Sequence, residues 1–287
     1  MPDLLAWGHL LPTRFWHEGP LCQTGMVPLP GGSGYGLRVT GDSATRTLTL
    51  DCGGTWLKAA VVDLSGQLLA ERVRVRVPYP CPPDLFVRTI AELVAAVPSY
   101  DRVSVGFPGM VRGGRVLQTP HYVTEAGPFS PRLPDLAAAW ADFDVRAALS
   151  EALDRPTRLV NDAELVGFAV TEGKGFEVVL TLGTGLGAAL FDEGRLLPKI
   201  ELSQAPFVRG QTFDQRLGNH ERRRLGNARW TKRVAKALDS LWPVLCWDRL
   251  YLGGGNAQRL VGDVGHDPTI VTNEAGLLGG VRLWERS

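Results

Sequence analysis

At 287 residues, with 44% apolar and 21% charged side chains, the chain has the composition of one large or two medium globular domains and can bury a substantial core. A net charge of +1 gives no global attraction to nucleic acid or a membrane, so any charged partner must be bound locally. Four scattered cysteines (Cys22, Cys52, Cys81, Cys246) without a CxxC or a histidine cluster exclude a disulfide framework and a structural zinc, and with no apolar run of about 18 residues and no signal peptide the expected location is the cytoplasm.

Residues 1–45 are rich in glycine and proline and carry Trp7, Phe15, Trp16 and Tyr35. They are expected to form an irregular arm, although a true start at Met26 or a later codon would leave the same signature. Their proline and glycine spacing forbids two adjacent helices, and so a helix-turn-helix reader. Leu48 to Asp63 reads as a strand, a tight turn at Gly53-Gly54 and a second strand, and Ser65-Gly66 turns the chain into a third over Leu68 to Val77. The corner Asp51-Cys52-Gly53-Gly54-Thr55 has two readings. It is an ordinary hairpin whose glycines satisfy positive φ, or an anion cradle in which glycine backbone approaches a phosphate, Thr55 adds a hydroxyl and an N–H, and Asp51 holds a metal through water.

Leu85, Phe86, Ile90, Leu93, Val94 and Val97 keep helical spacing and predict a helix over 84–97. Arg102 to Gly106 is a buried strand, and the loop after it, at Pro108-Gly109, is a candidate ligand wall. Residues 121–140 hold prolines and aromatics without a period and are expected to be a long loop or lid. A helix over Val145 to Leu153 and a strand over Thr157 to Val160 lead into Asn161-Asp162, at the carboxyl end of a strand where an α/β fold puts working groups. The pair also suits a helix N-cap, and the two roles coexist.

Glu177 to Leu182 and Gly183-Thr184-Gly185-Leu186-Gly187 repeat the opening design of apolar strand, glycine-threonine corner and apolar strand. Two such corners about 130 residues apart suggest an internal duplication in which each half gives one phosphate loop to a shared cleft. Residues 209–236 hold nine arginines or lysines against two acidic residues. Arg229, Lys232, Arg233 and Lys236 fall along one helical face, with Trp230, Val234 and Leu238 on another. That face is either solvated or a polyanion track. Asp248 to Leu252 is a strand, and Gly253-Gly254-Gly255-Asn256 is expected to open a helix through Leu260, where a flat ring or phosphate lies against backbone. A strand over Thr269 to Thr272 and a helix from Asn273 to Trp284 close the chain.

With these motifs in this order the chain resembles the sugar kinases of the ROK family, within the actin-like ATPase superfamily, and among them the polyphosphate-using glucokinase branch, from about Thr47 to Trp284. The resemblance implies an α/β, two-lobed, ribonuclease H-like fold of mixed sheets with helices and duplicated halves. The arm would be residues 1–45, the N-terminal lobe 46–160 and the C-terminal lobe 161–287. It implies phosphate binding by Gly53, Gly54, Thr55 and Lys58 and by Gly183, Thr184, Gly185 and Gly187, and adenosine binding by Gly253, Gly254, Gly255 and Asn256. It makes Asp162 the catalytic base, places Asn161, Glu201, Gln204, Pro108 and Gly109 at the sugar, and puts magnesium on Asp51 through water. The donor would be ATP or polyphosphate, the acceptor a hexose such as glucose, and the common assembly a homodimer.

Two segments depart from the family pattern. Glu201-Leu202-Ser203-Gln204 keeps the glutamate of the usual Glu-x-Gly-His but has Gln204 for the histidine, and an amide still bonds a hydroxyl. Thr119-Pro120-His121-Tyr122 stands where relatives carry an asparagine and is followed by an apparent insertion. The zinc-binding cysteine cluster of many members is missing, as in the polyphosphate branch. The altered segments leave a second reading open, a sugar- or nucleotide-binding regulator without catalysis, although no DNA-binding domain is visible. An ATPase of the actin or chaperone type fits less well, because Asn161-Asp162 suits a hydroxyl acceptor. Leu225 to Val234 also resembles the basic helix of the polyphosphate users; if it guides that donor, Arg229→Ala with Lys232→Ala weakens polyphosphate use at low salt and spares ATP use.

Overall fold

A computed structural model describes residues 45–128, 130–272 and 275–285, so the expected arm lies outside the described residues except for Thr45. β1 (Thr47–Cys52), β2 (Trp56–Val62) and β3 (Val73–Arg76) are antiparallel neighbours. Helix α1 (Pro83–Val94) crosses back to β4 (Arg102–Phe107), which runs parallel to β1. A small hairpin, β5 (Met110–Arg112) and β6 (Arg115–Gln118), is followed by α2 (Pro134–Trp140), α3 (Val145–Leu153) and β7 (Thr157–Asn161), parallel to β4. Helix α4 (Asp162–Val170) starts directly after the last residue of β7.

The second half opens with β8 (Phe176–Leu182), β9 (Leu186–Asp192) and β10 (Arg195–Leu196), again antiparallel. A hairpin, β11 (Pro206–Val208) and β12 (Gln211–Thr212), and helices α5 (Phe213–Leu217), α6 (Asn219–Leu225) and α7 (Asn227–Leu245) come next. They return the chain to β13 (Arg249–Gly253), parallel to β8, and β14 (Thr269–Ile270), parallel to β13, before α8 (Ala275–Arg282). The sheet orders are β3-β2-β1-β4-β7 and β10-β9-β8-β13-β14. Position by position these are the same arrangement, so the duplication legible in the two glycine corners is a duplication of topology.

Alternation along β1 and β2 sends Leu48, Leu50 and Leu57 into a core with Phe86 and Ile90 of α1 and Val103 and Val105 of β4. In the second half Val178, Leu180 and Leu182 pack on Trp230, Val234, Leu238 and Leu241, the apolar face expected of α7. The C-terminal helix α8 lies on α4 and reaches back to β1. Among the described residues no helix is long and apolar enough to cross a membrane.

Two sequence expectations are corrected. Residues 121–140 are not a lid: they contain α2, and Tyr122 and Trp140 are fully buried. Both rings join Phe86 and Phe107 at centroid separations of 5.2 to 5.8 Å, and Trp140 Nε1 donates to the Cys81 carbonyl at 2.8 Å. The segment lacks a period because its apolar residues plug one end of the core and do not line one face of a single helix. After Gly253 only a 3-10 turn forms, Ala257–Arg259. Gly254 takes φ +82 against the Leu182 backbone, a conformation that turns the chain and cannot begin a helix. The basic stretch divides into α6 and α7 at Gly226, φ +77, and Arg224 and Arg233 both pair with the Glu221 carboxylate, which Arg224 first and then Arg233 hold down at about 2.

Candidate active site

The first glycine corner joins β1 to β2 and is closed by Gly53 N–H donating to the Trp56 carbonyl at 3.0 Å. Its carbonyls are tied from beneath: the Tyr122 hydroxyl donates to Gly53 O at 3.1 Å and the Tyr79 hydroxyl to Gly54 O at 2.8 Å. With the peptide planes so fixed, the N–H groups of Gly54 and Thr55 have no protein acceptor among the described residues. The second corner, between β8 and β9, follows the same plan. Gly183 N–H donates to Gly185 O at 2.9 Å. Gly183 O accepts from Asn219 N–H at 3.0 Å and from Asn256 Nδ2 at 2.9 Å. The Asp214 carboxylate accepts from Leu186 N–H at 2.9 Å, leaving the N–H groups of Thr184 and Gly185 without a protein acceptor among the described residues. Carbonyls tied away and amides left open make an anion cradle. A Cβ on Gly54 would meet the His121 ring at 2.7 Å, and one on Gly185 would meet Asp214 Oδ1 at 1.7 Å, so close approach demands glycine at both corners.

Between the corners β7 hands over to α4. Asn161 is the N-cap: its Oδ1 accepts from Ala163 N–H at 2.9 Å, and its own N–H donates to Glu164 Oε2 at 2.8 Å. Lys199 Nζ donates to the same Oδ1 at 3.0 Å and to Ala188 O at 2.9 Å. Asn161 Nδ2 donates to Phe107 O at 3.2 Å and to Gly109 O at 2.8 Å. The amide expected to grip a sugar is therefore fully engaged, and it braces the β4 loop, α4 and Lys199 around Asp162. Burial pushes the Asp162 carboxyl up to about 6. The Lys199 ammonium opposes this and is the strongest influence keeping it ionised, while Asp51 and Glu201 push further up.

Asp162 opens onto two cavities. The first, about 160 Å³, is lined by Pro108, Gly109, Asn161, Glu201 and Gln204, together with Gly183, Thr184, Gly185 and Gly187 of the second corner. The second, about 650 Å³, is lined by Asp51, Lys58, Gly254 and Gly255, and it shares Asp162, Thr181 and Gly183 with the first. Gly53 and Gly54 border the smaller cavity, whereas Thr55 lies exposed outside both linings. Of the expected adenosine residues only Gly254 and Gly255 reach the larger cavity; Gly253 ends β13 and Asn256 is spent on Gly183. Lys58 and Asp51, partners across β1 and β2, form an ion pair at 2.8 Å.

Four cavity residues were missed by reading motifs. Ser203 Oγ donates to Glu201 Oε1 at 2.7 Å and accepts from Gln204 Nε2 at 3.1 Å, which fixes the glutamate. Asp214 braces the second corner, and burial raises its carboxyl above the usual range. Lys199 meets Asn161 from a segment without a motif. His121 stands at the noted departure from the family pattern, but it is His121 and not Tyr122 that lines the smaller cavity; burial pulls its imidazole down to about 4, so it is neutral near pH 7. Thr49 Oγ1 is buried in the larger cavity's wall with no partner among the described residues. No group of three metal-ligating side chains occurs among the described residues.

Comparison with known proteins identifies relatives of the whole fold. The polyphosphate glucokinase of Mycobacterium leprae is 29% identical over 229 residues, 76% of this chain and 65% of that enzyme; the chain thus spans just under two thirds of that relative. The crystal structure of an inorganic polyphosphate/ATP-glucomannokinase from Arthrobacter sp. strain KM superposes with a TM-score of 0.69 at 28% identity, covering 83% of this chain and 97% of that one. A ROK family glucokinase from Streptomyces griseus, solved with glucose and AMPPNP, has the same fold at a TM-score of 0.60 and 18% identity, over 83% of this chain and 98% of that one. The ROK family pattern itself matches residues 47–198, just over half of the sequence, and the chain belongs to the ROK family, with its two-lobed actin-like ATPase fold.

Proposed function

We propose that the chain is a sugar kinase that transfers a phosphoryl group from ATP or polyphosphate to a hydroxyl of glucose or a related hexose, with Asp162 as general base. The observation that carries this reading is the position of Asp162, among the described residues the one carboxylate common to a small polar cavity of sugar size and a larger one lined by Asp51, Lys58 and Gly254-Gly255. The sugar would lie on Glu201, Gln204 and His121, and the terminal phosphoryl group of the donor between the open amides of Gly54 and of Thr184 and Gly185. Asp162 accepts the hydroxyl proton as the oxygen attacks phosphorus. Little covalent work is asked of the protein, so the fixed amide dipoles of the two corners supply most of the stabilisation. Magnesium, held on Asp51 through water, would neutralise charge on the phosphate oxygens. Lobes of residues 46–160 and 161–287 would close over both substrates and exclude water.

The test is phosphorylation of a panel of hexoses and hexosamines, with ATP and polyphosphate as separate donors. Turnover of one sugar names acceptor and donor together. Binding of sugar or nucleotide without turnover by any pair would make the chain a binding protein and overturn the kinase reading.

Lys199 gives a sharper expectation. Its ammonium opposes the burial that raises Asp162, so Lys199→Met is expected to move the acidic limb of kcat/KM upward from about pH 6. A base must be ionised to act, so activity rises as pH rises through its pKa, and a higher pKa moves the rise to higher pH. A pH–rate profile from pH 5 to 9 checks this. A limb that stays in place in Lys199→Met would mean that the lysine only braces Asn161.

A further inference from the structure

The strand β3 and the residue before it carry arginine at every second position, Arg72, Arg74 and Arg76, all exposed. Alternation puts them on one face, and the register with β2 sets Arg74 opposite Lys58 and Arg76 opposite Trp56. Both guanidinium groups lie over the Trp56 ring, at 4.6 Å for Arg74 and 4.9 Å for Arg76, and are held flat by it. Neither has a carboxylate partner among the described residues. Cations on an edge strand also discourage edge pairing, but that purpose does not need them at a cavity. Here Arg72 and Arg74 line the larger cavity beside Lys58, and Arg76 continues the row beyond its lining.

We infer that this row is a binding track for a linear polyphosphate chain, which passes Arg72, Arg74 and Arg76 in that order, toward the first glycine corner, and ends with its terminal phosphoryl group at the glycine corners. The inference rests on the kinase reading above and specifies its donor side. The walls of the cavity differ in chemistry. Gly254, Gly255 and Leu277 present no charge and suit a nucleoside, whereas Arg72 and Arg74 present cations beside the Lys58–Asp51 ion pair. From Arg72 to Arg76 the strand advances about 13 Å, a series of anion contacts for which a donor with a base and ribose on the uncharged wall has no use. In the transfer, the sugar oxygen forms a bond to the terminal phosphorus as the bridging P–O bond breaks. The electron pair leaves with the shortened chain, and the hydroxyl proton goes to Asp162. The basic face of α6 and α7 is the competing location, but Arg224 and Arg233 there are paired with Glu221, and Arg229, Lys232 and Lys236 line neither cavity.

The experiment compares the full chain with Arg72→Gln/Arg74→Gln, the end of the row far from the corner, and with Arg229→Ala/Lys232→Ala. Calorimetric titration with long-chain polyphosphate and with tripolyphosphate, at low and high salt, needs no sugar and no turnover. The β3 pair is expected to weaken long-chain binding about tenfold at low salt, to affect tripolyphosphate less than about threefold, and to flatten the salt dependence. The helix pair is expected to change long-chain binding less than about twofold, and both variants, altered only at exposed positions, to melt as the wild type does. Loss of long-chain binding in the helix pair but not in the β3 pair would overturn the track, as would equal loss of both ligands in the β3 pair. A wild type that binds no polyphosphate yet phosphorylates sugar with ATP would end the track and leave the kinase standing. Chain binding through β3 without turnover of any sugar would do the reverse.

Discussion

Asp162→Asn is expected to lower kcat by about 10²–10⁴-fold while raising the melting temperature of the protein. The first effect follows from removing the one carboxylate among the described residues that faces both cavities. The second follows from linkage. The Asp162 carboxyl is raised from 3.8 to about 6 in the folded protein, chiefly by burial, so between those pH values the folded chain holds a proton that the unfolded chain has released. Stability therefore falls as pH rises through this window, and above it the full cost, on the order of 2–3 kcal/mol, is present. An asparagine of the same shape carries no charge to desolvate and avoids that cost. For a chain of this size about 2–4 °C accompanies each kcal/mol, so at pH 8 the variant is expected to melt roughly 5 °C higher, with the gain vanishing below about pH 4. Melting curves at pH 4 and pH 8, with kcat at pH 8, check both halves. A variant that is inactive but less stable at pH 8 would mean that Asp162 is held by favourable contacts and is not a base strained by burial.

Several features of this site could be read from residue types alone. The two glycine corners announce themselves because an apolar strand, a Gly-Thr turn and another apolar strand recur with the same spacing of parts, and the fold places them in equivalent positions of two equivalent sheets. Asn161 was legible as a cap from a strand end followed by a helix start, which the structure shows. What could not be read is what holds these parts. Tyr79 and Tyr122 reach the first corner from 25 and 69 residues away, and Lys199 reaches Asn161 from 38 away. Each is a single polar side chain with no repeating partner in its own segment. Tyr122 even lay in a stretch whose irregularity reads as a loop, because a residue that plugs a core by one ring leaves no period. The arginines of β3 follow a plain alternation, yet only the register with Trp56 and Lys58 and the cavity beside them separate a ligand track from a solvated edge.

Gly279→Ala is expected to destabilise the protein and slow the reaction together. Alanine is the better helix former by about 1 kcal/mol, and Gly279 lies inside α8, so local propensity alone predicts a gain. A Cβ at Gly279, however, would stand 1.8 Å from the Leu165 carbonyl oxygen and 2.9 Å from its carbon. The obstacle is the backbone of α4, which cannot rotate aside as a side chain can, so α8 and α4 must separate. Overpacking of this kind costs about 1–3 kcal/mol and sometimes more; with backbone on the other side, a net loss of about 3 kcal/mol and a melting temperature about 6–12 °C lower are expected. Leu165 is also three residues from Asp162 on the same helix and lines the larger cavity with it. Displacing α4 by about 1 Å moves the base away from the hydroxyl it must reach, and such an error costs up to about 10²-fold in rate. Gly276, in the same helix, has nothing within 4 Å of a built Cβ, so Gly276→Ala is expected to keep the propensity gain and to melt no lower than the wild type. Opposite signs at the two glycines would show that the α4–α8 contact positions the Asp162 carboxylate from behind. A rise in melting temperature at both would place the helices farther apart than this packing allows.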